Sequence, residues 1–193
     1  MPAEAASTVK AIFDDTVAVH TRFAERGLPS LLAAAEAIST ALRAGRKVLA
    51  FGNGGSAGDA DHFVAELVGR FEVERRGLPA VSLSSNSSVV TAIANDFGYA
   101  TLFTRQVDAL GAPGDVAFGI STSGRSENVE AGLAAAKAGG LVTIALTGRD
   151  GGKMGAAADI HLNVPDASTA RIQEVHRTII HAICALIDRD QPS

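Results

Sequence analysis

The segment "KVLAFGNGGSAGDADHFVAELV" (47–68) decides the fold of this chain. Its first six residues form an apolar run that predicts a buried strand, and a glycine-rich turn follows at once. The turn leads directly into a predicted helix that carries His62 and Glu66, four residues apart, on one face. Strand, glycine turn and helix in immediate succession are typical of an α/β protein.

Four further apolar runs follow, separated by segments of helix length. They are "PAVSL" (79–83), "DVAFGI" (115–120), "LVTIAL" (141–146) and "DIHLNV" (159–164). Runs bounded by Gly, Asp and Ser and spaced in this way indicate crossover connections between parallel strands. The sequence therefore predicts a doubly wound, five-stranded parallel sheet sandwiched by helices.

Helical patterns precede and follow the predicted sheet. The N-terminal part predicts two helices, interrupted at "RGLPS" (26–30), with Ala/Leu-rich faces suited to packing between subunits. The segment "TARIQEVHRTIIHAICALIDRD" (169–190) predicts a long amphipathic helix. We expect one domain over 1–193, with the helical pair at 1–45 and the α/β sandwich with its last helix at 46–190.

Composition excludes several classes of function. The chain has 193 residues, 47% of them hydrophobic, and 17 basic against 21 acidic side chains, with no concentration of Lys or Arg. Nucleic acid is therefore not an expected partner. No apolar run approaches the roughly 18 residues that span a bilayer, so we expect no membrane segment. The single cysteine, Cys184, forms no internal disulfide, and the N-terminus has no signal-peptide pattern, so we expect a cytoplasmic protein.

Ligands of such sheets bind at the carboxyl ends of the strands, which directs attention to the loops that follow them. The loop "STSGRSEN" (121–128) has four hydroxyl groups within six residues, at Ser121, Thr122, Ser123 and Ser126, just before a predicted helix. Hydroxyls, free amides and a helix N-terminus together suit a phosphate. The alternative is that the serines only cap the helix.

Spacing alone does not decide the roles of the acid, amide and imidazole side chains. His62 and Glu66 are placed to share a metal ion or a substrate, or to lie on a solvated helix face. On the last helix, Gln173, His176 and His181 are equally compatible with binding and with hydrogen bonds in the core. The turn "GNGGSAG" matches neither a nucleotide P-loop nor G-x-G-x-x-G.

Five stretches together resemble the phosphoheptose isomerases of the sugar isomerase (SIS) domain superfamily. They are "GNGGSAGDADHFVAEL", "TAIANDFGYATLFTRQV", "GDVAFGISTSGRSENV", "TGRDGGKMGAAADI" and "ARIQEVHRTIIHAI". The resemblance covers about residues 45–187 and implies a doubly wound sheet in flavodoxin-like strand order and a homotetramer. It also implies interconversion of sedoheptulose 7-phosphate, a ketose, with the aldose D-glycero-D-manno-heptose 7-phosphate.

The resemblance also implies roles for single residues. It implies zinc ligands at His62, Glu66, Gln173 and His181, sugar contacts at Asn53, Gly54, Gly55, Asn95 and Asp96, phosphate contacts at Ser121, Thr122, Ser123 and Ser126, and a further contact at Ser56. His181 is preferred to His176 because relatives without the metal site also have His176. Asp61 stands where the family more often has Gln, and a second acidic residue beside His62 bears on metal affinity.

The reaction needs a base, an acid and a group that stabilises a developing oxyanion, because a proton moves between C1 and C2 through an enediol. Glu66 and His181 are the predicted catalytic pair, with exchangeable roles, and zinc would act as a Lewis acid. A zinc-bound Glu66 is a poorer base and would have to leave the metal or act without it. Gln173 and His181 are about 12 Å apart along a helix, so they converge only by leaning together or by sharing the site between subunits.

Two other functions fit the same pattern. Replication-initiator-associating homologues resemble this chain throughout and are tetrameric binding modules, but their positions matching Glu66 and His181 hold neither an acid nor an imidazole. SIS sugar-phosphate sensors usually carry a helix-turn-helix domain, for which 193 residues leave no length. An isomerase for another sugar phosphate is a further alternative.

Overall fold

Five parallel strands form one sheet in a computed structural model that describes residues 3–190. They are β1 (Val48–Gly52), β2 (Ala80–Ser82), β3 (Val116–Ser121), β4 (Val142–Gly148) and β5 (Ile160–Val164). Their order in the sheet is β2-β1-β3-β4-β5, and each neighbouring pair is parallel. The predicted doubly wound sheet and its flavodoxin-like order are confirmed.

Eight α-helices surround this sheet within the described part of the chain. They are α1 (Ala3–Arg26), α2 (Leu28–Arg43), α3 (Gly55–Val68), α4 (Ser87–Phe97), α5 (Leu102–Leu110), α6 (Glu127–Ala138), α7 (Gly152–Ala157) and α8 (Thr169–Asp190), with a 3₁₀ turn at Tyr99–Thr101. The two predicted N-terminal helices and the long last helix are therefore present. Among residues 3–190, no helix is long and apolar enough to cross a bilayer.

Alternating side chains of the central strands supply two hydrophobic cores, one on each face of the sheet. Ala50 belongs to the core beneath α1, α2, α3 and α8, whereas its neighbour Phe51 belongs to the core beneath α5 and α6. All residues of β1 and β3 are buried. Burial on both faces explains why these strands read as continuous apolar runs rather than alternating ones.

The two N-terminal helices differ in what they cover. The Ala/Leu-rich face of α2, with Leu31 and Ile38, is buried within the chain itself. The helix α1, in contrast, has an exposed apolar stripe. Its members, each at least 43% exposed, are Val9, Ile12, Phe13 and Val17. These positions follow helical spacing, so they form one unpartnered face.

The last helix contains the single cysteine of the chain. Cys184 is fully buried on the face of α8 that packs against the sheet. Burial raises the pKa of its thiol to about 12. The side chain therefore acts as a small apolar residue of the core.

Candidate active site

The loops after β1 and β3 lie side by side, because these strands pair up to Gly52 and Ile120. Asn53 and Asn128 join the two loops by reciprocal amide hydrogen bonds of 2.8 and 3.1 Å. The hydroxyl of Tyr99 donates to Asn53 Oδ1 at 2.8 Å. Asn53, a predicted sugar contact, is thus held at the carboxyl edge of the central strands.

The loop after β3 gathers three of the four predicted phosphate-binding hydroxyls. Ser121 Oγ lies 2.9 Å from Ser126 Oγ and 3.3 Å from Ser123 Oγ. Ser126 is the N-cap residue of α6, but its side chain makes no capping hydrogen bond. The alternative that these serines only cap a helix therefore does not describe Ser126, and the cluster stands at a helix N-terminus that favours an anion.

Glycine allows two chain segments to meet at this loop. Gly124 has φ +63°, and a Cβ at this position would collide with the main-chain carbonyl of Gly151 in the loop after β4. Any side chain here would push the two loops apart. The close approach explains why a glycine interrupts the run of hydroxyl residues.

Three other predicted residues come together between α3 and α8. His62 Nε2 is 2.7 Å from His181 Nε2 and 3.4 Å from Glu66 Oε1. One ligand atom from each residue lies within 4.8 Å of the others. All three side chains are partly buried, and the ring of Phe71 lies 5.5 Å from that of His181. We call this set, His62, Glu66 and His181, the His–Glu–His cluster.

The donor set of the His–Glu–His cluster fits a divalent metal such as zinc. Two imidazoles and one carboxylate are the ligands of many catalytic zinc sites. Desolvation lowers the pKa of His62, as does the nearby charge of Arg177, and this favours the neutral imidazole that binds metals. Two nitrogens bound to one tetrahedral zinc are about 3.3 Å apart. The rings of His62 and His181 would need to separate by only about 0.6 Å to reach that distance.

Gln173 lies on α8, but its side chain contacts a different part of α3 from that of the His–Glu–His cluster. A Cβ at Gly55 would overlap the side-chain amide of Gln173, which packs against the start of α3. Gly55 precedes His62 by seven residues, or about 10 Å along the helix. Between these levels, Arg177 on α8 binds the buried Asp59 carboxylate at 2.7 Å. Within this chain, the contact of Gln173 is therefore with the glycine turn, where Gly54 and Gly55 are predicted sugar contacts.

Three predicted site residues remain, and they are Asn95, Asp96 and Ser56. Asn95 and Asp96 are exposed on α4 and hydrogen-bond to each other at 2.7 Å. Ser56 is buried at the start of α3. The carboxylate of Asp61 accepts a hydrogen bond from Ser82 on β2, so this additional acid is engaged away from His62.

His176 has a structural environment. Its Nε2 donates to the main-chain carbonyl of Thr147 at 2.9 Å, and the ring is fully buried. Burial lowers its pKa to about 4. The geometry agrees with the preference for His181 over His176 as a site residue.

Sequence reasoning assigned no role to Asn128 or Tyr99, which hold Asn53. Both lie inside motifs that the resemblance rests on, "GDVAFGISTSGRSENV" and "TAIANDFGYATLFTRQV". The signal for Asn128 is an amide residue at the end of the serine loop, two residues after Ser126. No such signal marks Tyr99, because its partner is 46 residues away in the chain.

Comparison with known proteins gives the same family. The SIS domain model matches residues 12–148. The phosphoheptose isomerase of Aquifex aeolicus is 52% identical over 180 residues, covering 93% of this chain and 94% of that protein. That of Geobacter sulfurreducens is 54% identical over 166 residues, covering 86% and 88%.

A solved structure agrees with the sequence comparisons. The phosphoheptose isomerase from Neisseria gonorrhoeae matches with a TM-score of 0.91 and 45% identity, covering 95% of this chain and 98% of that one. The relatives therefore match this chain in sequence and structure over nearly its whole length. The chain is thus an isomerase that belongs to the phosphoheptose isomerase family, built on the SIS fold.

Proposed function

We propose that this enzyme interconverts sedoheptulose 7-phosphate and D-glycero-D-manno-heptose 7-phosphate through an enediol. The observation that carries the proposal is the His–Glu–His cluster, which brings a carboxylate from α3 and an imidazole from α8 to within 4.8 Å of one another. Family membership supports the substrate class. Carboxylate and imidazole side chains are both common general acids and bases in enzymes.

Glu66 and His181 are the proposed acid and base. One of them removes the proton from C1 or C2 of the open-chain sugar, while the other gives a proton to, or takes one from, the oxygen of the neighbouring carbon. The atoms balance because the proton taken from one carbon is replaced at the other, and the proton lost by the hydroxyl group is matched by one gained at the carbonyl oxygen. The residue that takes a proton from an atom in one direction of the reaction returns it to the same atom in the other, and the assignment of Glu66 and His181 to the two positions can be exchanged.

His62, Glu66 and His181 would hold the divalent ion, with Gln173 as the proposed fourth ligand. Zinc bound there would supply Lewis-acid stabilisation of the negative charge on the substrate oxygens. The contact of Gln173 with Gly55 supports a second possibility, that its amide binds the sugar at the glycine turn. The role of metal ligand requires the Gln173 side chain to leave its present contact or a partner subunit to complete the site.

The distal phosphate is the proposed ligand of the serine loop. Ser121, Ser123 and Ser126 direct their hydroxyls to one point, and Thr122 lies between the first two. With no capping bond from Ser126, the first amides of α6 are free of a side-chain acceptor from that residue. Hydroxyl donors and helix amides together form a binding site for a phosphate dianion.

We further propose that the enzyme is a homotetramer. The exposed apolar stripe of α1 supports this, because soluble proteins rarely leave such a face uncovered. The helix α4 also supports a homotetramer, since none of its residues is buried within the chain. Subunits that cover α1 and α4 would also enclose Asn95 and Asp96, the predicted sugar contacts on α4.

Incubation of sedoheptulose 7-phosphate with the protein in D₂O tests the function. We expect aldose phosphate as product, with deuterium at C2 in the fraction where the enediol exchanges with solvent. Glu66→Gln and His181→Asn should each lower turnover by at least about 10²-fold while the fold is retained, because each removes a proton-transfer group and nearly preserves its shape.

The controls separate the isomerase from the binding module. Ser39 lies on α2, a helix that contributes no proposed site residue, and Ser39→Ala should leave turnover unchanged. Binding of the sugar phosphate without any aldose product, with or without added Zn²⁺, would favour the binding module. Turnover of a different ketose phosphate alone would favour an isomerase with another substrate.

A further inference from the structure

A buried ion pair outside the His–Glu–His cluster joins the two helices that carry it. Arg75, between α3 and β2, donates from Nε to Asp188 Oδ1 at 2.7 Å. The two side chains are only 2% and 3% exposed. Asp188 lies on α8, seven residues beyond His181. The pair therefore connects α8 to the segment that follows α3.

The same guanidinium holds the end of α3. Its Nη2 donates to the main-chain carbonyl of Glu66, and its Nη1 to that of Leu67, each at 2.9 Å. A cation at this position also interacts favourably with the C-terminal end of the helix dipole. Arg75 thus fixes the main chain of a proposed catalytic residue.

The carboxylate of Asp188 also has hydrogen-bond partners besides Arg75. Its Oδ2 accepts the main-chain amides of Glu72 and Val73 at 3.0 and 3.1 Å. The carboxylate therefore binds one cation and two amides, and the segment 72–75 is tied to α8 at three points. This leaves little freedom for α3 and α8 to slide past each other at this level.

We propose that Arg75 and Asp188 are positioning residues, which set the location of Glu66 on α3 relative to His181 on α8. The inference rests on the proposed function, in which these two side chains share the proton transfer and the metal. A buried ion pair adds little net stability compared with apolar packing, but its geometry is fixed. A displacement of about 1 Å between catalytic groups is enough to cost about 10²-fold in rate.

A matched ion pair elsewhere in the molecule serves as the control. Asp115 is 2% exposed and accepts Lys47 Nζ at 2.5 Å. It also accepts the main-chain amides of Lys47 and Ala112, at 3.0 and 2.9 Å. Asp115 and Asp188 thus each bind one cation and two amides. Asp115 lies at the amino end of β3, at the edge of the sheet opposite the loops of the site.

The experiment compares Asp188→Asn with Asp115→Asn, each purified as the full chain. Zinc affinity is measured by competition with a chromophoric chelator, kcat and KM with the sugar phosphate, and stability by urea unfolding. We expect both variants to be destabilised, because each leaves amides and a cation without their acceptor. Only Asp188→Asn should weaken zinc binding and lower kcat, each by about 10- to 100-fold, with KM changed by less than about 2-fold.

Arg75→Lys is the second variant, and it decides the question if Asp188→Asn does not fold. Lysine keeps the charge but cannot donate to Asp188 and both carbonyls from one planar fork. We expect it to lower zinc affinity and kcat below those of the wild type, and by less than Asp188→Asn where that variant folds.

Zinc affinity and kcat that are equal in wild type, Asp188→Asn and Arg75→Lys would overturn the proposal. Failure of the proposed function would give a different result. If the wild type binds zinc but does not isomerise the sugar phosphate, the zinc affinities of wild type and variants still test the positioning role. If it isomerises the sugar phosphate without zinc, the kcat values still test it. A wild type that does neither overturns both.

Discussion

The buried imidazole of His176 makes the stability of the fold depend on pH. Its Nε2 donates to the carbonyl of Thr147, and among residues 3–190 its Nδ1 has no hydrogen-bond partner. A proton on Nδ1 would place an unpaired charge in the core between α8 and β4. For this reason burial lowers the pKa from 6.5 to about 4.

The sign and size of the effect follow from linkage. The unfolded chain binds this proton at a higher pH than the folded chain, so stability falls as the pH drops through 6.5 and the loss is complete below about 4. The difference between the two pKa values corresponds to about 3.4 kcal/mol in total. Between pH 7 and pH 5, the expected loss is about 1.8 kcal/mol.

Urea unfolding of wild type and His176→Leu at pH 7, 6 and 5 measures this contribution. Protein concentrations must match, because assembly changes apparent stability. Leucine loses the bond to Thr147, so the variant should be less stable at pH 7 by about 1 kcal/mol. It should then lose about 1.8 kcal/mol less than wild type on going to pH 5. Parallel losses in the two proteins would refute the assignment of a neutral, buried ring.

Three shorter predictions concern the site and the assembly. Ser123→Ala should raise KM for the sugar phosphate about 10-fold with little change in kcat, because it removes one phosphate donor; equal turnover of sedoheptulose and its 7-phosphate would contradict this. Chelation should lower wild-type activity and added Zn²⁺ should restore it; full activity after verified metal removal would contradict a metal role. Light scattering should give about four times 19.7 kDa for wild type and a smaller mass for Phe13→Asp, whereas an active monomeric wild type would refute the tetramer.

Much of the fold could be predicted because the central strands are buried on both faces. The predicted strand 115–120 is observed at Val116–Ser121, and the predicted 47–52 at Val48–Gly52. The short β2 was predicted over 79–83 and spans Ala80–Ser82, although the flanking Pro79 and Leu83 still hydrogen-bond to β1, at 3.0 and 2.9 Å.

The predictable part of the site consists of residues that are close in sequence or carried by a motif. His62 and Glu66 share one helix face, and the serines share one loop, so local geometry suffices to bring them together. Arg75 and Asp188 are 113 residues apart, and nothing in their local pattern links them. The packing of α2 inside the chain also escaped prediction, because an amphipathic face does not indicate which neighbour will cover it.

The buried cysteine makes the protein a convenient subject for site-specific labelling. A thiol with a pKa of about 12 is a thiolate in only about one molecule in 10⁵ at pH 7, and the thiolate is the species that attacks maleimides. Cys184 is also shielded from reagents in the core. A cysteine introduced on the surface would therefore carry a fluorophore without removal of the native one, and energy transfer between labelled chains would test directly for exchange of subunits in the proposed tetramer.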